Sequence, residues 1–372
     1  MCHLFMPALL SLMLVFGSFS DINADEAFSV TFDAVEDEEF GAVSLGCSLE
    51  EFMQTGFELG DSCDVELSNG FRMEDVPVYD GYYVKSGFPL IVLYPGYAHP
   101  GFTFSNTGDM WNFAGAKDGD TVTVTLREKG KYMEIQDVMS AVYSNDRNDY
   151  ESDEMFSTFR QLSGGDLRSG MFFRGASPVD DRILRAACTD GLIRKAGIGF
   201  ILDLADTVEK AISYPYFKGS RFEELFSEEQ AVCLGINSDY RSSKYAASLT
   251  DGFRQMMDQD QPVFIHCTEG KDRTGFVGLL LEALAGANYE EIQRDYMLSY
   301  ENYYGITETG TPEKYSAVVE IRFRDMVEWF SGVPEGTDLS GKTFIQPARD
   351  YLSAAGMTET EIDSLILFLT GK

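Results

Sequence analysis

The chain has 372 residues, which is enough for two domains with a substantial hydrophobic core. Its composition, 44% hydrophobic and 13% aromatic, is that of a folded globular protein and excludes a disordered, collagen-like or low-complexity chain. The net charge of -32, from 29 Lys and Arg against 61 Asp and Glu residues, excludes nucleic-acid binding and disfavours contact with anionic membranes.

The chain begins with a segment typical of a secretory signal peptide. Leu4 to Phe16 is almost entirely apolar, is too short to span a bilayer, and is followed by small residues and a candidate cleavage point after Ala24. The basic residue that usually precedes such a segment is missing, since only His3 stands there. We expect residues 1–24 to be a signal peptide and the protein to be extracytoplasmic or secreted; a buried N-terminal strand or helix is the alternative.

Export bears on the cysteines, because disulfides form and persist in oxidising compartments. Removal of Cys2 with the signal leaves an odd number of cysteines, which indicates one free thiol and up to two disulfides. Proximity in the sequence favours the pairs Cys47–Cys63 and Cys188–Cys233. The alternative is that these four are small buried hydrophobic side chains.

Residues 25–143 show short alternating apolar segments separated by turn residues, a pattern typical of a small β-barrel or β-sandwich. A Gly-Asp turn followed by an alternating segment occurs at residues 60–67 and again at residues 119–126, which indicates a duplicated half-barrel. Strands are predicted at residues 43–45, 65–67, 82–84 and 90–94.

This region loosely resembles the C-terminal barrel of the SAM hydroxide adenosyltransferases. The resemblance rests on Phe40-Gly41, on the turn at residues 59–61 and on Gly119-Asp120. The N-terminal half of those enzymes has no counterpart here, so the resemblance implies a binding or structural module without catalysis. The ligand of such a module is left open, and a spacer without a ligand is the alternative.

Residues 144–154 are polar and without periodicity, which predicts a linker to a second domain at residues 155–372. Two buried-strand patterns, at residues 199–204 and 262–265, alternate there with amphipathic helical patterns. This alternation predicts an α/β domain with a central, mostly parallel sheet and flanking helices. Helices are predicted at residues 248–257 and 274–285 and, from a capping box at Thr358 and Glu361, through Leu369.

The most specific motif directly follows the second buried strand. Residues 266–275 are HCTEGKDRTG, an HCxxGxxRTG pattern between a predicted strand and a predicted helix. A thiol at a helix N-terminus near cations is favoured as the reactive anion, so Cys267 is the candidate nucleophile. The loop from Cys267 to Arg273 can curl at Gly270 and turn its backbone N–H groups inward as a cradle for phosphate oxygens. This chemistry needs no metal and no cofactor.

The other polar residues of the motif have expected roles as well. Arg273 closes the cradle with a planar pair of N–H donors that matches two phosphate oxygens. Thr274 is expected to donate a hydrogen bond to the sulfur, and His266 to orient the loop through backbone hydrogen bonds rather than act as a base. The substrate-binding residues are expected to be Thr268, Glu269, Gly270, Lys271, Asp272 and Arg273.

These residues resemble the protein tyrosine phosphatase superfamily. The variant GKDRTG at residues 270–275 is similar to a bacterial tyrosine-phosphatase group whose members also act on phosphoinositides. The similarity spans about residues 155–355 and includes the segments 173–177, 201–204 and 295–300. It implies the cysteine-phosphatase fold and a phosphomonoesterase that works through a phosphocysteine intermediate.

The general acid that protonates the leaving oxygen has two candidates. Asp272 lies inside the loop, where the resemblance implies a carboxylate that acts as acid and base. Asp239 lies 28 residues before Cys267, where other members of the superfamily carry their acid on a mobile loop. Both candidates stay open.

Two positions bear on the substrate. Lys271 adds a second cation to the loop, which suits phosphoinositides or inositol phosphates, unless it is only a partner for Glu269 or Asp272. The neutral Thr268 and the acidic surface favour isolated phosphomonoesters instead. Ala205 stands where an Arg commonly follows the strand end in the group, so a secondary phosphate contact is expected to be missing.

The expected function is therefore a protein tyrosine phosphatase acting on a phosphorylated protein or a small phosphomonoester. Its partners include no nucleic acid, and no stable membrane insertion is expected. The alternatives are a phosphoinositide or inositol phosphate phosphatase and, in another class, a catalytically inactive phosphate-binding module. A sulfur-transfer enzyme is disfavoured by the complete HCxxGxxRT pattern.

Overall fold

The structure is a computed structural model that describes residues 28–38 and 40–372. The predicted signal peptide, residues 1–24, lies outside the described residues. Within the described part of the chain, the strands form two sheets, one closed into a barrel and one open. None of the helices described there is both long and apolar enough to cross a membrane.

A closed barrel forms the N-terminal part of the described chain, as the alternating pattern predicts. Its strands are β1 (Ser29–Glu36), β2 (Val43–Leu45), β3 (Ser62–Leu67), β4 (Arg72–Tyr79), β5 (Pro89–Val92), β6 (Gly101–Phe104) and β7 (Thr121–Glu128). They are ordered β1-β2-β6-β5-β4-β3-β7, and β7 pairs back with β1, so the described strands leave no open edge. Neighbours are antiparallel except β4 and β5, which are parallel.

The two similar Gly-Asp segments are neighbours in this barrel. They form β3 and β7, which pair with Val65 opposite Val124, and both valines are fully buried in the barrel core. The predicted strand at residues 82–84 is wrong. These residues form a loop, because Tyr82 and Tyr83 pack their rings against Tyr94 and Tyr79 outside the barrel core. Short helices α1 (Leu49–Gln54), α2 (Met110–Ala114) and α3 (Met133–Met139) complete the region.

The second sheet is open and mostly parallel. Its strands are β8 (Arg160–Gln161), β9 (Phe172–Gly175), β10 (Phe200–Asp203), β11 (Ala231–Cys233) and β12 (Val263–His266). They are ordered β11-β10-β12-β9-β8. Among the described strands of this sheet, only the edge strand β8 is antiparallel to its neighbour. The ends of three strands are in register, since His266 is opposite both Asp203 and Gly175. The residues after β12 therefore emerge at the centre of the carboxyl edge, where open α/β sheets place ligand sites.

Helices cover both faces of this sheet, since Phe264 and Ile265 of β12 belong to different hydrophobic clusters. A π-helical segment, Val319–Arg324, joins two of these helices, and the predicted capping box begins the last one. The helices are α4 (Asp153–Phe156), α5 (Ala186–Lys195), α6 (Val208–Ser213), α7 (Arg221–Ser227), α8 (Ser243–Met257), α9 (Asp272–Leu284), α10 (Tyr289–Tyr304), α11 (Pro312–Val318), α12 (Asp325–Ser331), α13 (Ile345–Ala354) and α14 (Glu359–Thr370).

The predicted disulfides are wrong, because all the described cysteines are free thiols. Cys63 is fully buried in β3, where its thiol donates to the Val76 carbonyl at 3.2 Å, whereas Cys47 precedes α1. Cys188 lies on α5 beside the carboxylate of Asp153, at 3.9 Å, while Cys233 lies on β11. The paired positions thus belong to different elements, and the thiol of Cys63 already has a backbone partner.

The barrel and the α/β region meet at the carboxyl edge of the open sheet. Arg322, on the π-helical segment, donates to the Tyr82 carbonyl at 2.9 Å and to Ser105 Oγ at 3.1 Å. The hydroxyls of Ser86 and Tyr240 share a hydrogen bond of 2.8 Å. The expected linker, residues 144–154, includes the 3-10 turn Arg147–Asp149, and Arg185 donates to Asn145 Oδ1 and to the Ser144 carbonyl.

Candidate active site

Cys267 lies between β12 and the N-terminus of α9. The residue is buried, with 3% of its surface exposed, and α9 begins five residues later at Asp272. The first backbone N–H groups of a helix have no partner within the helix, and they carry the positive end of its dipole. The loop and the first turn of α9 therefore present the donors that an anion requires.

The loop depends on Gly270 for two separate reasons. Its φ of 69° lies in the left-handed region that favours glycine. In addition, a Cβ there would overlap the Gly175 carbonyl and stand 2.8 Å from the Ala176 nitrogen. The loop thus passes directly against the end of β9, and any side chain at this position would push the two apart.

A buried ion network holds the loop from below. Arg174, on β9, is fully buried and donates through Nη2 to the carbonyls of Gly270, at 2.9 Å, and Lys271, at 3.3 Å. Its Nη1 donates to the carboxylate of Asp295, which also accepts from Arg160 Nε at 2.8 Å. Buried charges are tolerated when they are paired and hydrogen-bonded in this way.

Neither Arg174 nor Asp295 was assigned a role from the sequence, although both lie in segments that resembled the family. The available signal was an arginine inside an otherwise apolar strand, which is costly unless it has a buried partner. The partner is 121 residues away, so the sequence did not identify it.

Arg273 lies across the mouth of the loop, as the motif predicts. Its Nη1 donates to the Ile236 carbonyl at 3.0 Å, and its Nη2 donates to Thr268 Oγ1 at 3.3 Å. Burial opposes the charge, but the Cys267 sulfur and nearby acidic groups raise the pKa of Arg273, so the guanidinium stays charged. A fixed planar cation beside the sulfur suits phosphate binding.

The predicted roles of Thr274 and His266 compare differently with the structure. The Oγ1 atom of Thr274 is buried and has no hydrogen-bond partner in the described part of the chain, so the expected bond to the sulfur is not formed here. His266 is fully buried with Nδ1 at 3.3 Å from the Cys267 carbonyl, and burial lowers the pKa of His266 to about 4. A neutral imidazole that contacts the backbone matches an orienting role.

The position occupied by Ala205 follows a buried carboxyl. The backbone N–H groups of Ala205 and Asp206 donate to Asp203 Oδ1, at 2.9 and 3.2 Å. Burial raises the pKa of Asp203 to about 7, although these two hydrogen bonds favour the carboxylate and act to lower the pKa. The methyl group of Ala205 offers no donor, so this strand end contributes backbone geometry rather than a second phosphate-binding cation.

Lys271 is paired rather than free, which confirms its interpretation as a partner of neighbouring carboxylates. Its Nζ lies 3.0 Å from Glu269 Oε2 and 3.8 Å from Asp272 Oδ2, and it donates to the Tyr304 hydroxyl at 3.0 Å. Burial opposes its charge, but Asp272 and Glu269 raise the pKa of Lys271 well above the usual value. The ring of Tyr300 also faces the ammonium group, with its centroid at 5.5 Å. Its charge is therefore neutralised within the protein.

The two candidate acids have different surroundings. Asp272 lies between Lys271 and Arg322, whose Nη2 is 3.7 Å from Asp272 Oδ1. Burial favours the neutral carboxyl, but these cations outweigh it and lower the pKa of Asp272 below its usual value. Asp239 instead accepts a hydrogen bond from the backbone N–H of Gly108, on the barrel, at 3.2 Å.

A small, shallow cleft opens beside the loop. Asp272 and Arg273 line it, whereas neither Asp239 nor Cys267 does. The residues of the cleft other than Asp272 and Arg273 were not predicted from the sequence. Arg322 on the π-helical segment and Asn106 on the barrel are two of them, and neither belongs to a motif. The cleft is lined by Asn106, Ser238, Tyr240, Asp272, Arg273, Tyr296, Arg322 and Met326.

Comparison with known proteins agrees with this geometry. The sequence model of a family described as "Tyrosine phosphatase family" matches residues 156–369, which is more than half of the chain. A curated protein of Cupriavidus necator, whose name assigns it provisionally to the tyrosine-protein phosphatases, is 24% identical, over 37% of this chain and 55% of the relative. The chain thus spans about half the length of that relative. The matched residues include Arg174, Cys267 and Asp295.

Proposed function

The chain belongs to the tyrosine phosphatase family, and from this premise we propose that it removes phosphate from phosphotyrosine through a phosphocysteine intermediate. The observation that carries the proposal is the position of Cys267, buried at the head of a loop that Arg273 closes. The mostly parallel sheet, with Cys267 after its central strand, supports the cysteine-phosphatase fold for residues 155–372.

In the first step, the Cys267 sulfur attacks phosphorus while the bond from phosphorus to the phenolic oxygen breaks. The three non-bridging oxygens lie against the loop N–H groups and the guanidinium of Arg273, which stabilise the charge of the transition state. Asp272 donates its proton to the leaving phenolate. The products of this step are the free tyrosine side chain and phosphocysteine.

In the second step, water attacks phosphorus and the phosphorus–sulfur bond breaks. The Asp272 carboxylate, now deprotonated, accepts a proton from the water, so one residue serves as acid and then as base. The sulfur leaves as a thiolate, and the unpaired hydroxyl of Thr274 is available to donate to it. Inorganic phosphate then leaves, and the resting enzyme is restored.

Asp272 is preferred to Asp239 as the acid because it lines the cleft beside Arg273. Its lowered pKa in the free enzyme favours the carboxylate that the second step needs. A bound phosphate dianion raises the pKa of a neighbouring carboxyl, which restores the proton for the first step. One oxygen of the Asp239 carboxylate, Oδ2, accepts the N–H of Gly108 on the barrel instead.

Asp272→Asn should therefore lower kcat/KM for a phosphotyrosine peptide, which reports the first step, by about 10²-fold, within the usual range for general acid catalysis. The loss in kcat/KM should be much smaller with p-nitrophenyl phosphate, because p-nitrophenolate leaves without a proton. The kcat should fall for both substrates, because both share the hydrolysis step in which Asp272 is the base. Since only the protonated carboxyl donates, wild-type activity should fall as the pH rises through the pKa of Asp272, and the variant should lack this limb.

Asp239→Asn is the matched control and should stay close to wild type with both substrates. The measurement is the pH–rate profile of kcat/KM with each leaving group. A selective loss in Asp239→Asn would transfer the acid role to that residue. Normal activity of both variants on the poor leaving group would contradict both assignments.

The environment of the loop supports an isolated phosphomonoester. Lys271, the cation that suits polyphosphorylated ligands, is already neutralised by Glu269 and held by Tyr304. Two aromatic side chains, Tyr240 and Tyr296, line the cleft and can pack against a phenyl ring. The net charge of -32 adds long-range repulsion against inositol polyphosphates and anionic vesicles.

The proposal is tested by phosphate release from four substrates. They are a phosphotyrosine peptide, the same peptide with phosphoserine, a phosphatidylinositol monophosphate in neutral vesicles, and inositol hexakisphosphate. We expect kcat/KM to be highest for the phosphotyrosine peptide, by about tenfold or more, because its ring can pack against Tyr240 and Tyr296. We also expect competitive inhibition by vanadate. Preference for either inositol compound, or no release from any of the four, would refute the proposal.

A further inference from the structure

The barrel contributes directly to the wall of the cleft through the loop at residues 105–108, which joins β6 to α2. Hydrogen bonds to both regions of the protein fix this loop. The N–H of Gly108 donates to Asp239 Oδ2 at 3.2 Å, Arg322 Nη1 donates to Ser105 Oγ at 3.1 Å, and the N–H of Gly87 donates to the Ser105 carbonyl at 2.8 Å. The loop is thus held against the α/β region on one side and the barrel on the other.

Asn106 is the side chain of this loop that lines the cleft. It is half-buried, its φ is 52°, and its side-chain amide has no hydrogen-bond partner among residues 28–38 and 40–372. Two other polar groups of the cleft are engaged, since Arg273 donates to the Ile236 carbonyl and the Tyr240 hydroxyl pairs with Ser86. The amide of Asn106 therefore offers an unused donor and an unused acceptor at the cleft wall.

We propose that Asn106 binds the peptide main chain beside the phosphotyrosine, so that the barrel supplies part of the substrate site. This inference rests on the proposed function. An amide side chain presents one N–H donor and one C=O acceptor, the same pair that a peptide group presents in reverse. Asn106 lies on the same cleft as Arg273, which binds the phosphate, and Tyr296, which can flank the ring.

This assignment gives the barrel a role in specificity. The phosphate group of a small aryl phosphate can bind in the catalytic loop. Only a peptide substrate is long enough to reach from that phosphate to the barrel wall as well. A lipid headgroup is the less favoured occupant, because the acidic protein repels an anionic surface and Lys271 is already neutralised. The loop at residues 105–108 thus favours peptide substrates among phosphomonoesters that bind equally well in the catalytic loop.

The test is Asn106→Gly, because glycine retains the positive φ without strain. The quantity measured is kcat/KM for a phosphotyrosine peptide divided by kcat/KM for p-nitrophenyl phosphate. Loss of one or two hydrogen bonds should lower this ratio by about five- to tenfold, through the KM for the peptide. Asn106→Asp, which removes the donor and adds a negative charge, should lower the same ratio.

Asn148→Gly is the matched control, because its amide lies on the exposed turn Arg147–Asp149 and should leave the ratio at the wild-type value. A wild-type ratio in both Asn106 variants, with melting temperatures showing that they fold, would overturn the inference. So would a loss confined to phosphatidylinositol phosphate in vesicles, which would indicate a lipid contact. Failure of the proposed function would give a different result. In that case the wild-type protein itself would show no Cys267-dependent hydrolysis of p-nitrophenyl phosphate.

Discussion

Replacing Cys267 with serine should abolish turnover of both p-nitrophenyl phosphate and a phosphotyrosine peptide. The expected loss of kcat is on the order of 10⁴-fold or more, as for the removal of a nucleophile in other covalent mechanisms. A serine hydroxyl stays protonated at neutral pH and is a weak nucleophile, whereas a cysteine thiolate is a strong one, and Cys267 lies just before the N-terminus of α9. The measurement is steady-state phosphate release at saturating substrate.

Cys188→Ser is the matched control, because this thiol lies on α5 near Asp153 and away from the loop. It should keep wild-type kcat. The Cys267→Ser variant should still bind the phosphotyrosine peptide, because the loop N–H groups and Arg273 remain. Equal turnover by Cys267→Ser and wild type would exclude the phosphocysteine mechanism. Peptide binding without turnover in the wild type would indicate a phosphate-binding module instead of an enzyme.

Gly270→Ala should have the second largest effect. The added methyl would overlap the Gly175 carbonyl, and both partners are backbone, so neither can rotate away. The loop must then shift relative to β9, and displacements of about 1 Å in a catalytic site cost on the order of 10²-fold in rate. We expect kcat/KM for p-nitrophenyl phosphate to fall by about that factor, with a lower melting temperature.

Gly341→Ala separates this overlap from backbone strain. Gly341 has nearly the same φ, 66° against 69°, but nothing lies within 4 Å of its Cβ position. Both substitutions carry the cost of a left-handed alanine, about 1 kcal/mol, and only Gly270→Ala adds the backbone clash. If the two variants retained the same kcat/KM, the close approach of the loop to β9 would not matter for catalysis.

Features that depend on neighbouring residues were predictable from the sequence. The HCxxGxxRTG motif lies between a strand and a helix, the capping box at Thr358 begins α14, and the alternating N-terminal pattern forms a closed barrel. Each follows from hydrophobic periodicity or from hydrogen bonds between residues a few positions apart. The strand at residues 82–84 was the local failure, because aromatic packing outside the barrel outweighed the β-propensity of its tyrosines.

Cysteine pairing was a different kind of failure. Proximity along the chain suggested Cys47–Cys63 and Cys188–Cys233, but the structure leaves these thiols free. A disulfide requires matched positions and directions of two side chains, and sequence separation determines neither. Hydrophobic periodicity therefore predicted the helices and strands well, whereas proximity along the chain predicted the cysteine pairs poorly.

The sequence by itself determined the residues of the loop from Cys267 to Arg273 and their order, because these residues are contiguous and lie between a strand and a helix. Only the tertiary structure decided which charges meet around that loop. Arg174 finds Asp295 across 121 residues, and Arg322 reaches the Tyr82 carbonyl across 240. The tertiary structure also placed Asn106 of the barrel on the cleft. The physical reason is that every charged residue has many partners of opposite sign in the sequence, and only packing of the whole chain selects one.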